Sequence, residues 1–137
     1  MAAEYFEAQR FYFVIPQGAH FHLEWPAFID AATGEPFDFT ADGGWVGRMD
    51  VRDAGGALIA TFRSDGSGDG TITFREDGVV VADLPAVKTA TLAPTQTYGG
   101  AGNSSKVYAD LELVDPTTSE PWRFFSGHGK ITQEVTQ

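Results

Sequence analysis

The segment from Asp65 to Glu76 places oxygen donors at the spacing of a calcium loop. Asp65, Ser67 and Asp69 take its first, third and fifth positions, and Gly70 takes the sharp turn. Thr71 takes the seventh and Ile72 the apolar position. Glu76 takes the twelfth, where a bidentate carboxylate closes the oxygen cage of a hard cation. The flanks do not suit an EF-hand, which needs a helix on each side. Leu58–Arg63 reads as a strand, and Asp77-Gly78-Val79-Val80-Val81 sets a glycine and three β-branched residues against a helix. The alternatives are a non-EF calcium site built on Asp65, Asp69 and Glu76, or a plain hairpin and loop. A second set, His20, His22 and Glu24, falls at i, i+2 and i+4 on one face of a predicted strand. Two imidazoles and a carboxylate so spaced could ligate zinc. The competing reading is a solvated strand face or a subunit contact, and the sequence marks no fourth ligand.

Trp45, Tyr98, Tyr108 and Trp122 could stack on sugar rings, which would make the chain a carbohydrate-binding module. Core or interface packing is the competing reading. Carboxylates are plentiful, but no pair is singled out, and neither a nucleophile elbow nor a histidine-centred triad is visible. Gly99-Gly100-Ala101-Gly102 lacks the helix and the Lys-Ser/Thr pair of a phosphate loop. The expectation is therefore a protein that is not an enzyme and holds no cofactor, with calcium the one ion whose ligand spacing is met in full.

Composition sets the frame that must position these residues. The chain has 137 residues, enough for one self-sufficient core. Its hydrophobic fraction is 42% with mean hydropathy of -0.17, which excludes a disordered polymer. Nineteen acidic residues against nine basic ones give a net charge of -10, so a nucleic-acid partner is not expected. Cysteine is absent, which removes disulfides, thiol catalysis and thiolate metal sites. No apolar run is long enough to span a bilayer, and no positively charged leader stands at Met1–Arg10.

Sixteen glycines and seven prolines divide the chain into short runs of alternating character. Phe11, Phe13 and Ile15 alternate with Tyr12 and Val14. Phe21, Leu23 and Trp25 oppose His20, His22 and Glu24. Trp45–Asp53 and Ala57–Arg63 read as a hairpin around Ala54-Gly55-Gly56, and Thr71–Arg75 and Val79–Leu84 as another around Asp77-Gly78. Val107, Ala109, Leu111 and Leu113 alternate with Tyr108, Asp110, Glu112 and Val114. Trp122–Val135 forms a last strand region interrupted by Gly127 and Gly129. One short helical turn fits near 85–92, with Pro85 suited to its first position. The sum is a single all-β domain over 1–137, an antiparallel β-sandwich of about seven to eight strands. Residues 1–9 form an N-terminal arm and 96–105 a flexible Gly-rich loop.

The order of these pieces resembles a family of small bacteriophage tail and baseplate domains, the type found at the N-terminus of upper baseplate proteins. The resemblance is carried by Gly18-Ala19-His20-Phe21, by the turn Thr33-Gly34-Glu35-Pro36-Phe37-Asp38-Phe39-Thr40 and by Arg48-Met49-Asp50-Val51-Arg52. It continues in the Pro85–Leu92 coil, in Tyr108-Ala109-Asp110-Leu111-Glu112-Leu113 and in the closing Ser126–Thr136 strand. Phe39 stands where the family has leucine, Ala41-Asp42-Gly43 lengthens the turn, and the Gly99–Ser105 loop is long. The resemblance implies a β-sandwich that acts as an assembly part, has no catalytic residues and forms symmetric oligomers. The expected function is thus a virion structural protein of the tail or baseplate, made in the host cytoplasm and working through protein contacts. The alternative within the virion is a capsid decoration protein bound to the major capsid protein. The alternative of another class is a calcium- or carbohydrate-binding module. Expected interface residues are Tyr5 and Phe6 on the arm, Tyr98 and Tyr108. Net negative charge favours partners with basic patches.

Overall fold

A computed structural model of the chain describes residues 9–40, 44–92, 96–97 and 103–133. Its elements are β1 (Gln9–Pro16), β2 (Phe21–Glu24), β3 (Val46–Asp53), β4 (Leu58–Arg63), β5 (Gly70–Phe74), β6 (Val80–Leu84), α1 (Ala86–Thr89), β7 (Gln96–Thr97), β8 (Asn103–Val114) and β9 (Pro121–Thr132). The all-β expectation is met. Period-two alternation builds each strand: Phe13 and Ile15 of β1, Met49 and Val51 of β3, and Val107, Ala109, Leu111 and Leu113 of β8 all point inward and are buried.

Hydrogen bonds join the strands in one path, β1-β9-β8-β3-β4-β5-β6-β2, with β7 paired to β8. The path curls round on itself, and the short β4–β5 junction divides it into two walls. β1, β9, β8, β3 and β4 make a five-strand wall, and β5, β6 and β2 make a three-strand wall. On one side the walls join through β4 and β5, which share only Phe62↔Gly70 and Arg63↔Thr71. On the other side the consecutive strands β1 and β2 meet through rings. Phe11 lies 5.5 Å from Trp25, and Phe13 lies 6.2 Å from Phe21, centroid to centroid. The sheet is therefore nearly a barrel, closed along that seam by side chains.

Most of the pairing is antiparallel, as expected, but β1–β9 and β4–β5 run parallel. A long parallel pair needs a long crossover, and the chain between β1 and β9 supplies one. The pairing of β4 with β5 stays short because only Ser64–Asp69 connects them. Two further expectations change. The Gly-rich loop placed at 96–105 contains β7 and the start of β8, which pair as Gln96↔Ser104 and Thr97↔Asn103. The helical turn forms where expected, with Pro85 as its N-cap residue and Ala86 first inside. The connection after Pro26 packs inward: Phe39 is buried, and Phe28 lies edge-on to Phe124 at 5.1 Å.

Glycine permits the close approach of β1 to β9. A Cβ at Gly129 would strike the Phe13 carbonyl, and one at Gly127 would enter the Phe11 ring. These two glycines interrupt the β9 pattern in sequence because a neighbouring ring and a neighbouring backbone carbonyl occupy their side-chain space. Gly129→Ala is expected to destabilise the domain by about 2 kcal/mol through forced separation of the two strands. Urea unfolding followed by tryptophan fluorescence measures it, and unchanged stability would show that the strands have room to part.

Candidate functional site

The register of the five-strand wall decides what its outer surface presents. Tyr12 of β1 pairs with His128 of β9, His128 with Tyr108 of β8, and Tyr108 with Arg52 of β3. These outward positions form one row across four strands. Tyr12 and Tyr108 are 55% and 43% exposed, and Tyr12 packs edge-on against the His128 ring at 5.3 Å. In the next row Val14 stands beside Lys130, and Lys130 beside Lys106, whose ammonium lies 5.9 Å from the Tyr108 ring centroid. A shallow groove of about 230 Å³ runs along the other side of the tyrosine, lined by Arg48, Asp50, Arg52, Asp110, Glu112 and Arg123.

The charge on this wall opposes that of the chain. Of the nine basic residues, Arg10, Arg48, Arg52, Arg63, Lys106, Arg123 and Lys130 project from it, leaving Arg75 and Lys88 elsewhere. The acidic residues among them are held by arginine: Asp50 by Arg63 at 2.7 Å, Glu112 by Arg48 at 3.0 Å and Asp110 by Arg123 at 3.4 Å. Arg10, Lys106 and Lys130 have no acidic partner among the described residues.

The three-strand wall carries a different constellation. Antiparallel pairing sets His22 of β2 opposite Asp83 of β6. Asp83 Oδ1 lies 2.9 Å from His20 Nε2 and 2.7 Å from His22 Nδ1. The other ring nitrogen of His22 lies 2.8 Å from Glu24 Oε2. Glu24 in turn accepts from Arg75 at 3.1 Å, and Arg75 is held by Asp77 at 2.5 Å. The buried Thr89 hydroxyl of α1 donates to the Ala19 carbonyl at 2.7 Å, which fixes the backbone just before His20. Hydrogen bonds that His22 donates to Glu24 and then to Asp83 raise its pKa above its ordinary 6.5. His22 holds the Glu24 carboxyl below its usual range. Burial acts to raise Asp83, but hydrogen bonds from His20 and His22 outweigh it and the net shift is downward.

The twelve-residue loop does not gather its donors. The Asp65 carboxylate accepts from the Ser67 backbone N–H at 2.9 Å and from its hydroxyl at 2.6 Å, a local turn. Asp69 accepts the Thr61 N–H at 3.0 Å and so braces β4. Thr71 lies in β5, which is extended from Gly70 to Phe74 and so spans ~13 Å at about 3.3 Å per residue, and Glu76 falls in the turn beyond its far end. Among the described residues the group placed to share an ion is His20, His22 and Asp83.

Of the proposed sugar-stacking rings, Trp45 packs against Phe37 at 5.6 Å, and Trp122 is half-buried against the core. Tyr108 is exposed on the row just described. Tyr5, Phe6 and Tyr98 lie outside the described residues. Sequence reasoning passed over Tyr12, His128 and Asp83. The first two sit in the polar phase of their strands, a readable signal. Asp83 meets the histidines through a register spanning sixty-one residues, which no local pattern encodes.

No protein-family model matches the chain, and no curated protein matches it.

The shifts define a pH dependence. A raised His22 pKa contributes stability that is fully present below 6.5 and lost as pH rises through the folded value. The lowered Glu24 and Asp83 values contribute stability that is present above the usual carboxylate range and lost as pH falls through them. The pairing is therefore strongest in weakly acidic solution. Imidazole NMR of the chain in EDTA is expected to place His22 above 6.5 and to find it lower in Glu24→Gln. Equal values in both proteins would show that Glu24 does not hold the ring.

Proposed function

We propose that the chain is a non-enzymatic assembly domain of a bacteriophage tail or baseplate, joining copies of itself through the outer face of the five-strand wall. The observation that carries this reading is the segregation of charge. A chain of net charge -10 gathers Arg10, Arg48, Arg52, Arg63, Lys106, Arg123 and Lys130 on one wall, around two exposed tyrosines. The other wall and its β5–β6 turn show Glu24, Asp83 and Asp77 around a single arginine, Arg75, and the histidines His20 and His22. Two such surfaces on one molecule complement each other head to tail. Heterologous contacts of that kind close into rings or extend as stacks, according to the rotation between copies.

Tyrosine suits the centre of such a contact, because its ring gives a large contact area for little lost rotamer freedom. The partner with a basic patch, expected from net charge, is in this reading a second copy of the chain. The phage setting rests on the motif resemblance at Gly18–Phe21, Thr33–Thr40, Arg48–Arg52 and Tyr108–Leu113. That resemblance supports a virion location after synthesis in the host cytoplasm.

Sedimentation velocity tests the contact. The chain is expected to self-associate at low ionic strength and to dissociate as salt is raised, since exposed charges are screened within about 8 Å at physiological strength. The Lys106→Glu/Lys130→Glu variant is expected to be monomeric at every salt concentration, and Tyr12→Ala/Tyr108→Ala to associate at least tenfold more weakly. A wild-type chain that stays monomeric throughout would overturn self-assembly. Mass spectrometry of purified particles tests the setting: the chain belongs in tail fractions, and its recovery in heads would favour capsid decoration.

A further inference from the structure

We propose that His20, His22 and Asp83 form a site for a divalent transition metal of the zinc class, with Glu24 orienting His22 from behind. The first argument is convergence. The donor atoms of the three residues lie within 4.8 Å of one another, and both imidazoles approach the same carboxylate oxygen. A tetrahedral ion with bonds of about 2.0 Å needs its ligand atoms ~3.3 Å apart. The two contacts to Asp83 Oδ1, at 2.9 and 2.7 Å, open slightly to admit it. The span between the two histidines closes by a rotation of His20, whose side chain is 56% exposed and free to turn.

The second argument is the support behind the ligand. A metal-binding histidine commonly donates its distal N–H to a carboxylate, which fixes tautomer and ring plane and raises ligand basicity. His22 presents Nδ1 to the cluster and Nε2 to Glu24 at 2.8 Å. Glu24 is itself anchored by Arg75 at 3.1 Å, so the distal carboxylate is held in place. A plain ion pair on a solvated strand would not require this chain of support.

The third argument is rigidity. Asp83 lies in β6, which is paired on both sides, by β5 and by β2. His20 follows the backbone carbonyl held by buried Thr89. Two imidazoles and one carboxylate suit zinc, copper, nickel or cobalt better than calcium, which takes six to eight oxygens. Three protein ligands leave a fourth position for water. The ion would tie the edge strand β2 to its neighbour β6.

The test uses the tag-free full chain, stripped with EDTA and desalted, titrated with Zn²⁺ by calorimetry and with Co²⁺ by visible absorption. One ion per chain is expected, with the absorption of four-coordinate Co²⁺ and a rise in melting temperature on Zn²⁺ addition. His20→Ala, His22→Ala and Asp83→Ala are each expected to weaken Zn²⁺ binding at least a hundredfold. Glu24→Gln is expected to weaken it by about ten- to a hundredfold. His128→Ala removes the remaining histidine, on the other wall, and is expected to bind as wild type. Melting of each metal-free variant confirms that it folds. Absence of saturable Zn²⁺ uptake by the wild-type chain would overturn the proposal. So would uptake undiminished in folded His20→Ala/His22→Ala, or uptake lost in His128→Ala. Wild-type affinity in Glu24→Gln would remove Glu24 from its orienting role.

Discussion

The gap left by two missing side chains governs the arrangement of the five-strand wall. Gly127 and Gly129 vacate the inner side of β9, and the Phe11 ring and the Phe13 backbone carbonyl occupy that space. β1 can then run parallel to β9 along its full length, from Gln9↔Phe125 to Pro16↔Thr132. Because side chains alternate strictly, the same register that buries Phe11 and Phe13 must turn Tyr12 outward beside His128. The buried core and the exposed row are two readings of one alignment. A slip by a single residue would exchange them.

The seam between β1 and β2 follows from the same rings. Phe11 reaches Trp25, Phe13 reaches Phe21, and Phe21 reaches Phe62 on the far wall at 5.9 Å. A continuous aromatic path thus crosses the interior where no ladder of backbone bonds closes the sheet. Offset and edge-on rings of this kind each add about 0.5–1.5 kcal/mol beyond the area they bury. They also hold β2 in place, and with it the outward histidines.

Most of the strand pattern was legible in the residues. Phe11, Phe13 and Ile15, Met49 and Val51, and Val107 to Leu113 announce their inner faces by alternation, and Asp77-Gly78 announces a reversal that Gly78 completes at φ 82°. Non-local pairing was not legible. Nothing near Asp83 says that it faces His22, and nothing near Arg10, Lys106 or Lys130 says that they share a surface. The calcium-like spacing at Asp65–Glu76 was legible but misleading. It describes residues along the chain, and an extended β5 carries its last member away from the first. The apolar residues of the Phe28–Phe39 connection have no fixed period, so alternation gives no sign that Phe39 is buried.

The difference between the two walls has a consequence for how molecules find one another. Cations gathered on one wall make the charge of the described residues uneven around the domain. A neighbour approaching within a screening length feels a torque that turns it before any surfaces touch. In the proposed head-to-tail assembly, mis-oriented collisions would be corrected during approach, so recognition would begin as alignment.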